Sequence, residues 1–166
     1  MANVMIVYGS STGVTEGIAR KIGDALGDAE LVEASQLSES NAASFGDYSL
    51  VVLGASTWGI GDLQDDFHAK LGVIEGAALS GVKVAVFGTG DQESYADSFV
   101  DGIGILAEAA EKAGATLVGK TSTEGYTFEE SRAVRDGQFL GLAIDEDNQG
   151  DLTDQRIAAW VKALQE

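Results

Sequence analysis

Cysteine and proline are absent from all 166 residues, and histidine occurs once, at His68. Without cysteine there is no disulfide, no thiolate nucleophile and no cysteine-ligated metal, and a reducing compartment is expected. Without proline, turns must be built from Gly, Asp, Asn and Ser, and 22 glycines are there to build them. Basic side chains are scarce too: 10 Lys and Arg face 27 Asp and Glu, a net charge of −17. Such a surface repels nucleic acid and anionic membranes, and it steers a basic protein partner into contact. No apolar run reaches transmembrane length, and Gly9 interrupts the start too early for a signal peptide, so a cytoplasmic chain is expected. What remains is 45% hydrophobic and 22% charged, the balance of one globular domain over residues 1–166.

Several chemistries lack their residues. His68 lies in an expected short helix as a surface residue, and no second His or carboxylate cluster offers a metal site. No G-x-S-x-G elbow is present, and Gly88-Thr89-Gly90 is not continued into a dinucleotide fingerprint. Asp145–Asp147 reads as a solvated acidic face or part of a docking surface rather than a calcium loop.

What is present is a run of short apolar strands alternating with helices. Val4–Tyr8 is apolar throughout, the pattern of a strand buried on both faces, and it stops at Gly9. Ser10, Ser11, Thr12, Gly13, Val14 and Thr15 place four hydroxyls and a glycine in one turn before a helix. Val14, Ile18, Ala19, Ile22, Ala25 and Leu26 give that helix its expected inner stripe. Further strands are expected at Ala29–Glu33, Ser49–Gly54, Val82–Gly88 and Ala115–Gly119, with Phe139–Ile144 apolar again after a polar stretch. Helices are expected at Leu63–Leu71, at Ser98–Ala113 ended by Gly114, and after Asp151 as a cap. The implied fold is α/β: a three-layer sandwich with a five-stranded parallel sheet, doubly wound, its fifth strand split by an insertion.

In such a sheet, ligands bind beyond the carboxyl ends of the strands where the strand order reverses. Three loops leave the sheet there: Ser10–Thr15, Ser56–Gly61 and Thr89–Asp97. The first suits a phosphate, because the unpaired amides and dipole of a helix start favour an anion, though no Lys or Arg stands in the turn. The other two each carry one aromatic, Trp58 and Tyr95, suited to the faces of a flat ring.

These stretches resemble the flavodoxins. The resemblance rests on Ser10-Ser11-Thr12-Gly13-Val14-Thr15, on Thr57-Trp58-Gly59-Ile60-Gly61, and on Gly88-Thr89-Gly90-Asp91-Gln92-Glu93-Ser94-Tyr95-Ala96-Asp97. It covers nearly the whole chain. Ser122-Thr123-Glu124-Gly125-Tyr126 and Asp145-Glu146-Asp147-Asn148-Gln149 look like the insertion and tail of the long-chain subclass, and the resemblance implies strand order 2-1-3-4-5. Two departures are visible: Ala55-Ser56 stands where many relatives carry proline, and Ser10 replaces a threonine.

The resemblance implies FMN, held non-covalently, and one-electron transfer at low potential between redox proteins, with a basic-faced reductase as donor and separate acceptor enzymes. Ser10, Ser11, Thr12, Gly13, Val14 and Thr15 would wrap the phosphate. Ser56 and Thr57 would also bind the cofactor, with Trp58 stacked on the inner ring face and Tyr95 on the outer. Thr89, Gly90, Asp91 and Gln92 would meet the pyrimidine edge, with Asp97 near the flavin. The Gly59–Ile60 peptide, followed by Gly61, would turn toward the flavin N5 and favour a neutral semiquinone, a movement that glycine makes easy. A monomer is expected. The rival of the same fold is an FMN-dependent NAD(P)H quinone reductase, which would need the outer ring face open; a phospho-receiver domain lacks its acidic residues at the ends of strands one and three.

Overall fold

Val4–Gly9 form β1, and every residue of it is buried. The computed structural model describes residues 3–9, 13–58, 62–77 and 79–165, with the backbone alone of Trp58 and Asp62. After β1 come α1 (Val14–Leu26), β2 (Ala29–Glu33), α2 (Glu39–Ala43), β3 (Leu50–Trp58) and the short β4 (Asp62–Leu63). Then follow α3 (Asp65–Glu75), β5 (Lys83–Thr89), α4 (Asp101–Lys112) and β6 (Thr116–Val118). An insertion holds β7 (Thr121–Ser122), β8 (Val134–Arg135) and β9 (Gln138–Phe139), and the chain ends through β10 (Leu142–Ile144), α5 (Glu146–Gln149) and α6 (Thr153–Leu164).

The main strands pair in parallel, β2 on one side of β1 and β3 on the other, with β5 beyond β3. The fifth place is shared: β6 pairs with the start of β5 and β10 with its end, both parallel. Order 2-1-3-4-5 with a split fifth strand is therefore the observed topology, as expected. The pleat sends alternate residues to opposite faces. Met5, Val7, Val51, Leu53, Val84 and Val86 join the core under α3 and α4, whereas Val4, Ile6, Val52, Ala85 and Phe87 join the one under α1 and α6. Each large aliphatic buried this way contributes about 1.5–3 kcal/mol.

The structure corrects several expectations. β3 runs on through Ser56 and Thr57 to Trp58, where a loop from Ala55 was expected, because β4 returns antiparallel against its last two residues. The inner stripe of α1 is narrower than expected: Ile18, Ala19 and Ile22 are buried, but Ala25 is exposed and Val14 is 44% exposed at the first turn. α3 continues to Glu75, and α4 starts at Asp101 rather than Ser98, after Val100 in the left-handed region at φ 47°. Asp151 does not cap the last helix, because a 3₁₀ turn over Gly150–Leu152 intervenes and Leu152 takes that place. Among the described residues no helix is long and apolar enough to cross a membrane.

The insertion carries its own three-stranded antiparallel sheet, ordered β7-β9-β8. Its hairpin turns at Asp136-Gly137, with φ 55° and 79°, the positive pair that a two-residue turn between twisted strands requires. Phe99, Tyr126, Phe128 and Phe139 pack their rings against one another beneath it, with centroids 4.9–6.0 Å apart.

Candidate functional site

β1, β3 and β5 all end at one edge of the sheet, and the register sets three hydroxyls there. Thr89 closes β5 opposite Ser56 of β3, and Ile144 of β10 flanks it on the other side. Thr15, in the first turn of α1, brings its Oγ1 to 2.9 Å from Oγ1 of Thr89, and both residues are buried. Ser56 Oγ is also buried but has no hydrogen-bond partner among the described residues. An unpaired buried hydroxyl costs about 1–3 kcal/mol, a cost that a bound polar group removes.

α1 opens beside these hydroxyls. Gly13 precedes it at φ 90°, a conformation that a side chain would resist, and as glycine it brings no side-chain cap to the helix. The first-turn amides and dipole of α1 therefore favour an anion at this place. Ser10, Ser11, Thr12, Gly59, Ile60 and Gly61 lie outside the described residues, as does the Trp58 side chain, and with them the expected inner stacking face and the turning Gly59–Ile60 peptide.

A cleft opens along this edge, lined by Val14, Thr15, Ser56, Thr57, Thr89, Gly90, Asp91, Tyr95, Glu146 and Asp147. Eight of these are residues that the sequence pointed to. Tyr95 is 46% exposed, and its amide donates to the Asp91 carbonyl at 3.0 Å. The Thr57 hydroxyl is engaged already, accepting from the Gly102 amide at 2.9 Å and so fixing the start of α4.

Asp91 ties its own loop. Its Oδ1 accepts from the Glu93 amide at 3.1 Å, the Ser94 amide at 3.0 Å and Asn148 Nδ2 at 2.8 Å. The Ser94 amide foremost, with Asn148 adding to it, holds this carboxyl below the usual carboxylate range. Asp91, Glu146 and Asp147 make the ring end of the cleft negative, and no Lys or Arg is among the lining residues described.

Two expected residues stand apart from the cleft. Gln92 is buried behind it, its amide and its Nε2 both donating to Asp145 Oδ2 at 3.1 and 2.8 Å. Asp97 lies in a separate hollow with Asp101, Phe128 and Glu129. The Asp97 carboxyl beside Glu129 pushes the Glu129 group up.

The acidic run at 145–147 is divided. Glu146 and Asp147 are exposed and line the cleft, a placement with no signal in the sequence, whereas Asp145 is fully buried and not part of any solvated face. Asp145 caps α5 through the Asn148 amide at 3.0 Å, so Asp followed three residues later by Asn after an apolar strand was the signal available. Among the described residues no group of His, Cys, Asp and Glu is placed to hold a metal ion.

An anion-binding end, a hydroxyl rung, an aromatic flank and a negative far end suit a planar ring carrying a phosphorylated tail. The sequence model of the flavodoxin family matches residues 6–160. A flavodoxin of Trichodesmium erythraeum is 44% identical over 165 residues, spanning 99% of this chain and 96% of that one. A flavodoxin of Nostoc sp. strain PCC 7120 is 45% identical over 159 residues, 96% and 93% of the two chains. Among solved structures, Fusobacterium nucleatum flavodoxin bound to flavin mononucleotide superposes with a TM-score of 0.91 at 30% identity, covering 99% of this chain and 98% of that one.

Proposed function

This chain belongs to the flavodoxin family, and from that premise we propose that its cleft holds FMN non-covalently and that the protein carries single electrons at low potential between redox proteins. The observation that carries this reading is the rung of hydroxyls beside the start of α1. Ser56 offers there a buried hydroxyl without a partner among the described residues, next to the Thr15–Thr89 pair. The residues fit the group: neutral donors and a helix dipole for the phosphate, and Tyr95 for one ring face.

Bound there, FMN supplies a ring that takes up and gives back single electrons. Ser10, Ser11, Thr12, Gly13, Val14 and Thr15 would hold its phosphate with neutral donors. Trp58 and Tyr95 would flank the ring, and Gly59, Ile60 and Gly61 would belong to the same site by the family resemblance. Thr89, Gly90 and Asp91 would face its far end, and Gln92 supports the same loop from behind. Asp91, Glu146 and Asp147 oppose added negative charge at that end, which makes electron uptake less favourable and the potential low. Tyr95 over the outer face leaves a nicotinamide no room to stack, so the protein is an electron-transfer protein without turnover of its own.

A net charge of −17 suits a basic-faced reductase as donor, and it keeps copies of the chain apart as monomers in the cytoplasm. The split edge strand supports membership of the long-chain subclass. The test is a titration of the flavin-free protein. FMN quenches stoichiometrically, riboflavin, which lacks the phosphate, binds far more weakly, and NADPH is not consumed when a quinone is added. Equal affinity for riboflavin, or steady NADPH oxidation, overturns the reading.

A further inference from the structure

Asp145, at the mouth of β10, is 0% exposed, and no ion pair among the described residues reaches it. A buried carboxylate without a cation persists only when its oxygens are saturated by donors. Here four N–H groups converge. Gln92 donates its amide at 3.1 Å and its Nε2 at 2.8 Å to Oδ2. Asn148 donates its Nδ2 at 2.8 Å to Oδ2 and its amide at 3.0 Å to Oδ1.

Both partners reach beyond Asp145. Asn148 Nδ2 is shared with Asp91 Oδ1, which also gathers the Glu93 and Ser94 amides, and the Asp91 carbonyl accepts from the Tyr95 amide. Gln92 Oε1 accepts from the Thr127 amide at 2.6 Å and its hydroxyl at 3.3 Å, inside the insertion. One carboxylate thus joins three segments distant in sequence: residues 91–95, which carry the cleft's aromatic flank, the insertion at Thr127, and the turn into α5.

We infer that Asp145 is the positioning residue that presets the Asp91–Tyr95 segment for FMN, with the insertion bracing it through Gln92. The inference rests on reading the cleft as an FMN site. Asp145 touches no ligand itself. It acts by removing alternatives: with Gln92 and Asn148 both anchored, the segment is ordered before the ligand arrives, so binding bears little of the ordering cost.

The test compares wild type with Asp145→Asn, which puts an amide donor where one acceptor oxygen stood, and with the double variant Asp145→Asn/Gln92→Glu. The double variant reverses donor and acceptor between the two side chains, and the carboxylate introduced at position 92 can still accept from Thr127. FMN affinity of the full-length, flavin-free protein is measured by quenching, and amide hydrogen exchange is mapped by segment. The expected result is a loss of at least about tenfold in affinity for Asp145→Asn. Faster exchange should be confined to 91–95 and 125–128, with partial recovery of affinity in the double variant. Unchanged affinity, or exchange accelerated equally across the sheet strands, overturns the inference. Should Asp145→Asn fail to fold, Asn148→Ala decides: it withdraws the Nδ2 donor alone, and it must weaken FMN by about threefold or more with the same local exchange, or the inference falls. Failure of wild type to bind FMN would instead sink the flavin reading itself.

Discussion

Thr15 and Thr89 stand 74 positions apart in the chain and share a hydroxyl–hydroxyl hydrogen bond of 2.9 Å in the protein interior. It joins the first turn of α1 to the last residue of β5, so the anion end and the ring end of the cleft are fixed to each other. Replacing either threonine by valine strands the other hydroxyl, at a cost of about 1–3 kcal/mol. Replacing both removes the orphan, so the double variant should be less destabilised than the sum of the two singles. Urea unfolding of the four proteins measures this, and strictly additive losses would show that the pair is not coupled.

Gly54, in the middle of β3, lies under the ring of Phe87, which a β-carbon there would overlap. Gly54→Ala should therefore cost about 3 kcal/mol, the upper part of the range for overpacking a filled core. Adding Phe87→Leu, which removes the ring, should restore part of the loss. Thermal unfolding checks both, and a change in midpoint too small to measure for Gly54→Ala would mean that the ring moves aside freely.

Tyr126 lies half-buried among the rings under the insertion and donates to the Ala143 carbonyl at 2.6 Å. Burial foremost pushes its hydroxyl up to about 12. Tyr48, bonded to Glu30 at 2.6 Å, is likewise pushed up to about 12 by that hydrogen bond. Because both values are raised, these groups lend their stability below pH about 10, where neither state is ionised. That stability is lost as pH rises toward about 12, because the unfolded chain ionises first. An alkaline titration of tyrosinate absorbance should show late-ionising groups, Tyr48 and Tyr126 among them, with Tyr8 also raised by burial. Tyr126→Phe should remove one of them and flatten the alkaline fall in stability.

Gly137 sits at φ 79° in the hairpin turn of the insertion. Gly137→Ala should cost about 1 kcal/mol of strain, whereas Asp136→Gly should be close to neutral. If hydrogen exchange in residues 121–139 does not respond to Gly137→Ala, the hairpin is not held by its turn.

The strands were legible because Val4–Tyr8, the Leu50–Leu53 run and Val84–Phe87 are apolar on both faces, which only a covered parallel sheet needs. The split edge strand was legible as well, since an apolar run resumes after a polar stretch. Asp145 was not. In a run of three acidic residues nothing local separates the buried one, and the donors that satisfy it include Gln92, 53 positions away. Val14 misled in the other direction: its spacing fits the inner stripe, but its side chain lines the open cleft and is exposed. The end of β3 resembles a loop in sequence because its pairing partner, β4, is only two residues long. The Asp-Gly hairpin at 136–137 carried a clear local signal that a search for helical period passes over.

The split edge strand has a consequence for how this architecture changes. The backbone leaves the sheet beside Ala85, where Val118 pairs, and rejoins it beside Phe87, where Leu142 pairs. Those rungs are about 7 Å apart along β5. Gly141 fills the gap, lying so close over the Val86 carbonyl that a β-carbon would overlap it. Departure and return are therefore neighbours, as in a doorway, and a segment passing through it forfeits almost no sheet pairing whatever its length. Such a doorway can accept a spliced-in domain with adjacent termini, turning the edge of the sheet into a mount for a reporter or a tether while the central strands keep their register.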